Sequence, residues 1–425
     1  MTQEKIKVMV IADHPLSPSG VGTQTRYMIE AMLATGKYRF ICIGGAVKHE
    51  EYQPQTVGDW GEDWIIFPVD GYGNQEMIRS FLVTHKPDIL WFMTDPRFYG
   101  WLWEIENEIR AVCPMVYYHV WDNYPYPKYN KPWYESNDVI VSISKVTSDI
   151  VRNVAPKVEE HYLPHAINMD IFKKLPKEAI RRLRISSIPT INEENVDDKM
   201  VFFWNSRNAR RKLSGSVVWW FKDYLDIVGD DKAMLIMHTD PKDGHGQDLI
   251  AIMEERGLTK GQVLISTNKV DPERLSTMYN VADCTIGVSD AEGFGLSTFE
   301  SLSCETPIVV NMTGGLQEQV TNGEDWFGIG IEPTAKTVIG SQDVPYIYED
   351  RISKEDFIKA LVDITNMTSE QRDELGRKGR AHLEENYSMK SFSEKWDKIL
   401  SDVYERYGSW ENRRGYHSWE CVEVK

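Results

Sequence analysis

Short apolar runs rich in β-branched and aromatic residues alternate with amphipathic stretches along most of the chain, the pattern of βαβ units wound about a parallel sheet. Strands are expected over 7–12, 40–44, 64–69, 88–93, 115–119, 139–143 and 161–163, with helices over 23–34, 75–85, 99–112 and 145–154. From 173 to 199 the pattern lapses into a basic and then acidic segment holding Pro176 and Pro189, a composition that suits a linker. A second series follows, with strands over 200–205, 233–237, 263–266, 284–288 and 307–311. The expected fold is therefore α/β, with two tandem Rossmann-like doubly wound domains over 1–172 and 200–388. Ligands are expected in a cleft facing the carboxyl ends of both sheets. Residues 324–350 read as a long irregular insertion. Helices follow over 354–365, 369–385 and 391–407, the last within a C-terminal segment, 389–425, that ends in a polar tail.

A chain of 425 residues with 48 Lys and Arg against 65 Asp and Glu carries a formal charge of -17. That field repels phosphate backbones and anionic lipid, which excludes nucleic acid as a main partner. A small anionic ligand is still accommodated wherever a local basic cluster outweighs distant, screened charge. No apolar run approaches the ~18 residues that span a bilayer, so any membrane contact is expected to be peripheral. The first residues lack an apolar signal region. Cys42, Cys113, Cys284, Cys304 and Cys421 show no CxxC spacing and read as reduced core thiols, so a cytoplasmic setting is expected.

Three loops carry candidate chemistry. After the first strand, Asp13 to Thr23 is turn-rich and opens a helix, and Gly20 and Gly22 would let backbone amides approach an anion there. A plain strand-to-helix turn explains it equally well, and the dinucleotide fingerprint is absent because Thr25 stands where a third glycine belongs. The strand over 200–205 runs into Ser206-Arg207-Asn208-Ala209-Arg210-Arg211-Lys212. Arg207 as a fork and Lys212 as a point charge could neutralise a diphosphate, the alternative being a solvated basic loop. Third, Asp290-Ala291-Glu292-Gly293-Phe294-Gly295-Leu296-Ser297-Thr298-Phe299-Glu300 follows a strand and opens a short helix. Two carboxylates there bracket a glycine turn whose amides suit phosphate and sugar oxygens. Ser297-x-x-Glu300 is equally a capping box, in which Glu300 only ties the helix start. Gly314-Gly315 before Glu318 forms one more anion-friendly turn, and His119 ends a strand at a carboxyl edge, as a structural or a catalytic residue. Pro164 between His161 and His165 argues against a metal-binding helix, and zincin, P-loop and serine-hydrolase motifs are absent.

Taken in order, the glycine loop, His119, Arg207 with Lys212, EGFGLSTFESLSCETPIVV and Gly314-Gly315-Leu316-Gln317-Glu318 resemble the motif series of family-four retaining glycosyltransferases of the GT-B fold. The resemblance implies a hexosyltransferase-type enzyme. Its donor would be a UDP- or GDP-sugar held mainly by the second domain, and a glycan, lipid or protein-linked sugar acceptor would lie on the first. By position, Glu292 would hold sugar hydroxyls and Glu300 the ribose. The amides of Phe294, Gly295, Leu296 and Ser297 would touch sugar and diphosphate, Arg207 and Lys212 would stabilise the leaving group, Gly20 and Gly22 would close over the phosphate, and His119 would lie beside the sugar. The C-terminal helix would return to the first domain. No cofactor is implied, and cationic side chains would make a metal unnecessary. A sugar-nucleotide epimerase or a non-catalytic nucleotide-sugar binding protein of the same fold are the rival readings. The departures are Leu213 and Glu305, each where the family usually has glycine, and a longer segment after Gly323.

Overall fold

The computed structural model describes residues 4–419, and in it the chain divides into two compact units. The first comprises the chain through Ala166 with Gly340–Ile347 and the segment from Met389; the second comprises Ile167–Ile339 and Tyr348–Ser388.

The first unit is built on β1 (Ile6–Asp13), β2 (Tyr38–Gly45), β3 (Gln55–Thr56), β4 (Trp64–Pro68), β5 (Ile89–Thr94), β6 (Met115–His119), β7 (Val139–Ser142) and β8 (Glu159–Tyr162). They lie in the order β3-β4-β2-β1-β5-β6-β7-β8, parallel throughout except for β3 against β4. All six residues of β5, ILWFMT, are buried, as expected for a central parallel strand covered on both faces. Strand order reverses beside β1, which makes the loops after β1 and β5 the natural ligand-facing edge. The C-terminal helix Met389–Tyr407 belongs to this unit: buried Trp396 meets Trp91 and Tyr118 edge-on at 5.8 and 5.0 Å, and Asp397 accepts from Tyr38 Oη at 2.8 Å. Covering an indole of that size is worth on the order of 4 kcal/mol. The helix expected over 99–112 breaks into Gly100–Trp103 and Glu106–Arg110.

The second unit holds β9 (Met200–Asn205), β10 (Ala233–His238), β11 (Val263–Ser266), β12 (Cys284–Gly287), β13 (Ile308–Asn311) and β14 (Gly328–Ile331), all parallel, in the order β11-β10-β9-β12-β13-β14. Residues 173–199, expected as a linker, carry the helix Lys177–Ser187, and Ile188, Ile191 and Val196 form a small core with Val201, Met234 and Val281. Their wide spacing among charges hides the pattern. The segment expected as irregular likewise holds β14 and a two-stranded ribbon of β15 (Ala335–Ile339) and β16 (Ile347–Arg351). β14 reads GIGI because it lies close to β13: a Cβ on Gly328 would stand 1.9 Å from the Ile308 carbonyl oxygen. A strand half made of glycine lacks the apolar signature. Within the first unit, Val344 from the insertion joins the core and Tyr129 Oη donates to the Tyr346 carbonyl at 3.0 Å.

Cys42, Cys113, Cys284 and Cys304 are buried free thiols, while Cys421 lies outside the described residues. Among the described residues no helix is long and apolar enough to cross a membrane.

Candidate active site

Three loops at the carboxyl edge of the second sheet converge. In the first, after β9, Lys212 Nζ pairs with the Glu292 carboxylate, and Arg211 Nη1 lies 3.9 Å from the same group while donating to the Ala291 carbonyl at 2.6 Å. Burial pushes the Glu292 pKa up, but Lys212 and Arg211 outweigh it and hold the carboxylate below its usual range. Arg207 is placed differently. It is largely exposed and gripped by Asp243, Nε to Oδ2 at 2.6 Å, with His245 Nδ1 at 2.7 Å. Of the expected cationic pair, the structure brings Lys212 to Glu292 and sends Arg207 to Asp243. Arg211 supplies the second positive charge beside Glu292.

The loop after β12 leads into the helix Leu296–Ser303, whose N-cap is Gly295 at φ +95 with no side-chain cap. Ser297 is thus inside the helix, so the capping-box alternative does not hold. Glu300 instead accepts from Tyr279 Oη at 2.7 Å, and Asn205 Nδ2 donates to that hydroxyl at 2.8 Å. Burial raises the Glu300 pKa to about 7, with the Tyr279 hydrogen bond opposing. The uncapped helix start presents amides and positive dipole at the edge where an anion would sit.

The third loop packs onto the second. Gly315 N–H donates to the Glu292 carbonyl at 3.0 Å, and a Cβ on Gly315 would meet the Gly293 oxygen at 2.6 Å. Gln319 fastens the pair, donating to the Phe294 carbonyl at 2.7 Å and accepting from Thr298 Oγ1 at 2.7 Å. Behind them lies Asp290, fully buried, with neither carboxylate oxygen in a hydrogen bond although Arg351 Nη1 is 3.2 Å away. Burial raises its pKa to about 7. Arg210 pairs with Glu349, Glu349 with Arg351, and Asp350 N–H donates to the Asp290 carbonyl at 2.9 Å, so β16 buttresses the loop. Arg210 and Arg211 stood within the basic run. Glu349, Arg351 and Tyr279 gave no sign, because nothing local ties them to residues tens of positions away.

In the first unit, Ser19 Oγ caps the helix Gly20–Ala34, accepting from Gly22 N–H at 2.9 Å and donating to Asp13. A Cβ on Gly22 would lie 2.4 Å from Ser17 Oγ and 2.7 Å from the His14 carbonyl oxygen, so the tight loop requires glycine there. His119 is fully buried, its Nε2 2.8 Å from Tyr134 Oη, and burial drives its pKa down to about 3. It is neutral at pH 7 and presents no surface to a ligand in this structure, the placement of a core histidine. His165 meets Tyr118 Oη at 2.8 Å and His161 meets Glu159 at 2.7 Å, so the two form no joint site. Among the described residues no group of three or more His, Cys, Asp or Glu could hold a metal ion.

Residues 224–382 match the family model "Glycosyl transferases group 1". A D-inositol 3-phosphate glycosyltransferase of Acidothermus cellulolyticus is 45% identical over 53 residues, 12% of each chain, and one of Catenulispora acidiphila is 34% identical over 98 residues, 22% of this chain and 23% of that one. The matched stretches thus span less than a quarter of these curated relatives. Solved structures match over almost the whole chain. A sucrose-phosphate synthase from Thermosynechococcus elongatus superposes with a TM-score of 0.73 at 14% identity, covering 94% of this chain and 100% of that one. Anabaena Alr3699/HepE in complex with UDP and glucose gives 0.65 at 12% identity over 93% and 100%. Residues 224–382 are thus similar to the glycosyl transferases group 1 family, within a chain whose fold is that of the GT-B glycosyltransferases.

Proposed function

We propose that the protein is a retaining glycosyltransferase that moves a hexosyl group from a nucleotide diphosphate sugar, with UDP the first base to try, to an acceptor hydroxyl. One observation carries the reading: the Lys212–Glu292 pair sits against an uncapped helix start whose glycine turn is clasped by Gly315. Paired carboxylate, cation and open amides answer the sugar hydroxyls, the diphosphate and the charge that grows on it. The complexes of similar structures with UDP and with UDP-glucose support the choice of donor.

In this mechanism Glu292 accepts from sugar hydroxyls and Glu300 from the ribose, its position fixed by Tyr279. The amides of Phe294 to Ser297, with Lys212 and Arg211, stabilise the leaving diphosphate as the anomeric carbon gains oxocarbenium character. Arg207 joins them on exchanging Asp243 for phosphate. No side chain of the site is required as a covalent nucleophile, which suits front-face attack with retention. Cationic side chains meet the diphosphate charge, so the reaction as proposed is metal-independent. A cytoplasmic setting is part of the proposal, supported by four buried, unbridged thiols.

The test is to incubate the protein with UDP-, GDP- and ADP-glucose and a set of sugar acceptors, and to read product anomers by NMR. An α-linked glucoside from an α-linked donor supports the reading. A β-linked product removes retention, and conversion of the donor sugar without an acceptor product favours the epimerase.

A further inference from the structure

We propose that the second unit carries a further binding site, at the edge of its sheet opposite the Glu292 and Glu300 loops, for a small hydroxylated phosphomonoester. No residue of the donor loops takes part, so the site is tested apart from the glycosyl-transfer reading.

A cavity of about 250 Å³ lies there, a little under the ~300–1,000 Å³ of pockets for drug-sized ligands. Asp283 and Pro307, which line it, come immediately before β12 and β13, whereas the loops holding Glu292 and Gly315 follow those strands. One wall is the helix Lys177–Ser187, from the segment expected as a linker. Lys177, Ile180, Arg181 and Arg184 line the cavity at i, i+3, i+4 and i+7, a single face of that helix. No residue of the helix is buried, so this face covers a hollow and not a core.

Charge selects the ligand. In a chain of formal charge -17, residues 173–184 hold six cations against Glu178 alone. Arg184 meets Asp283 at 2.9 Å and donates to the Val281 carbonyl at 2.9 Å, a largely buried pair that forms part of the wall. Lys177 meets Asp373 at 2.7 Å, and Arg181 meets Glu193 at 2.6 Å and Asp197 at 3.5 Å. These are open to solvent on at least one side, weak pairs that a bound anion can replace. Lys174, also in the lining, has no hydrogen-bond or ion-pair partner among the described residues. Arg372 gives Nη1 to the Met367 and Ile364 carbonyls and meets no carboxylate. Two cations therefore keep their charge, against the one unpartnered carboxylate of Glu305.

A phosphoryl group answers Lys174 and Arg372, with Lys177 and Arg181 able to turn to it. Glu305 would repel a second anionic group and accepts from a hydroxyl. Ile180, Val196, Ala282 and Pro307 add apolar lining that a bare phosphate ion would leave uncovered, which calls for carbon attached to the phosphate.

Calorimetric titration tests this with glycerol 3-phosphate, ribose 5-phosphate, glucose 6-phosphate and inorganic phosphate. The proteins are the full wild-type chain, Lys174→Met, Arg181→Ala, Glu305→Gln and Lys212→Ala, with thermal melting as the check on folding. At least one ester is expected to bind, at least fivefold tighter than inorganic phosphate. Its affinity should fall at least fivefold in Lys174→Met and twofold in Arg181→Ala, stay unchanged in Lys212→Ala, and approach that of inorganic phosphate in Glu305→Gln. Binding by none of the three esters, equal affinity for inorganic phosphate, or affinity that both Lys174→Met and Arg181→Ala keep in full overturns the proposal. Loss of binding in Lys212→Ala also overturns it, because the contact then belongs to the donor loops. Ester binding that persists where no nucleotide binds removes the donor reading and upholds the cavity.

Discussion

Leu213 and Glu305 both stand in the left-handed region, at φ +55 and +57, where a Cβ clashes with its own backbone. These are the two positions where the resembled family usually carries glycine, so the departures seen in the sequence are departures in strain. Glu305→Gly should stabilise the protein by about 1 kcal/mol, the relief of the left-handed conformation less glycine's added freedom when unfolded. Urea titration would measure it. Leu213→Gly should gain less, because the leucine packs partly against the second core. Glu300 and Asp290 act in the opposite direction. Both pKa values are raised to about 7 by burial, so the native state holds protons that the unfolded chain has released. Stability should fall as pH rises from about 4 to 7, by at most ~4 kcal/mol per group, and Glu300→Gln should flatten that slope. A slope unchanged in the variant would show that Glu300 ionises normally. Lys212→Met leaves Glu292 buried without its main countercharge and should cost ~3 to 5 kcal/mol in stability, with turnover falling about 10²- to 10³-fold. Pairing it with Glu292→Gln should restore much of the stability and none of the turnover.

Elements meet here through glycine. The backbone of the Gly314-Gly315 turn reaches the Glu292 turn because Gly315 has no Cβ, and the helix Ser369–Asn386 reaches Glu305 because a Cβ on Gly376 would stand 2.0 Å from its carbonyl oxygen. Gly376→Ala should therefore destabilise by about 1 to 3 kcal/mol despite alanine's better helix propensity, as thermal unfolding would show. This scale is also where the sequence was most and least legible. The EGFG turn and its helix were visible because glycine, carboxylate and apolar positions all fall within eleven residues. What the Ser297-x-x-Glu300 spacing left open was decided by one dihedral, at Gly295, and by Tyr279, a partner on another helix. The helix in 173–199 was missed because its apolar residues serve a small satellite core. β14 was missed because close approach to β13 replaced its side chains with hydrogens. His119 lies at a carboxyl edge as the pattern implied, yet Tyr134 and burial seal it, and no local spacing distinguishes a sealed strand end from an open one.

Two large parallel sheets, each with its own core, dominate the described residues, and they were legible because short apolar runs and amphipathic stretches alternate along both halves. The loops proposed to hold the nucleotide around Glu292 and Glu300 belong to the second unit, so a nucleotide should raise that unit's unfolding transition more than the first unit's, which calorimetry would resolve if the two melt separately. The most direct measurement of the central claim is a thermal-shift series of UDP, GDP and ADP against wild type, Lys212→Ala and Glu300→Gln. The account predicts that one nucleotide at about a hundred times its Kd adds ~2.7 kcal/mol to the wild type and far less to both variants. Stabilisation by none of the three, or stabilisation that both variants keep in full, would contradict it.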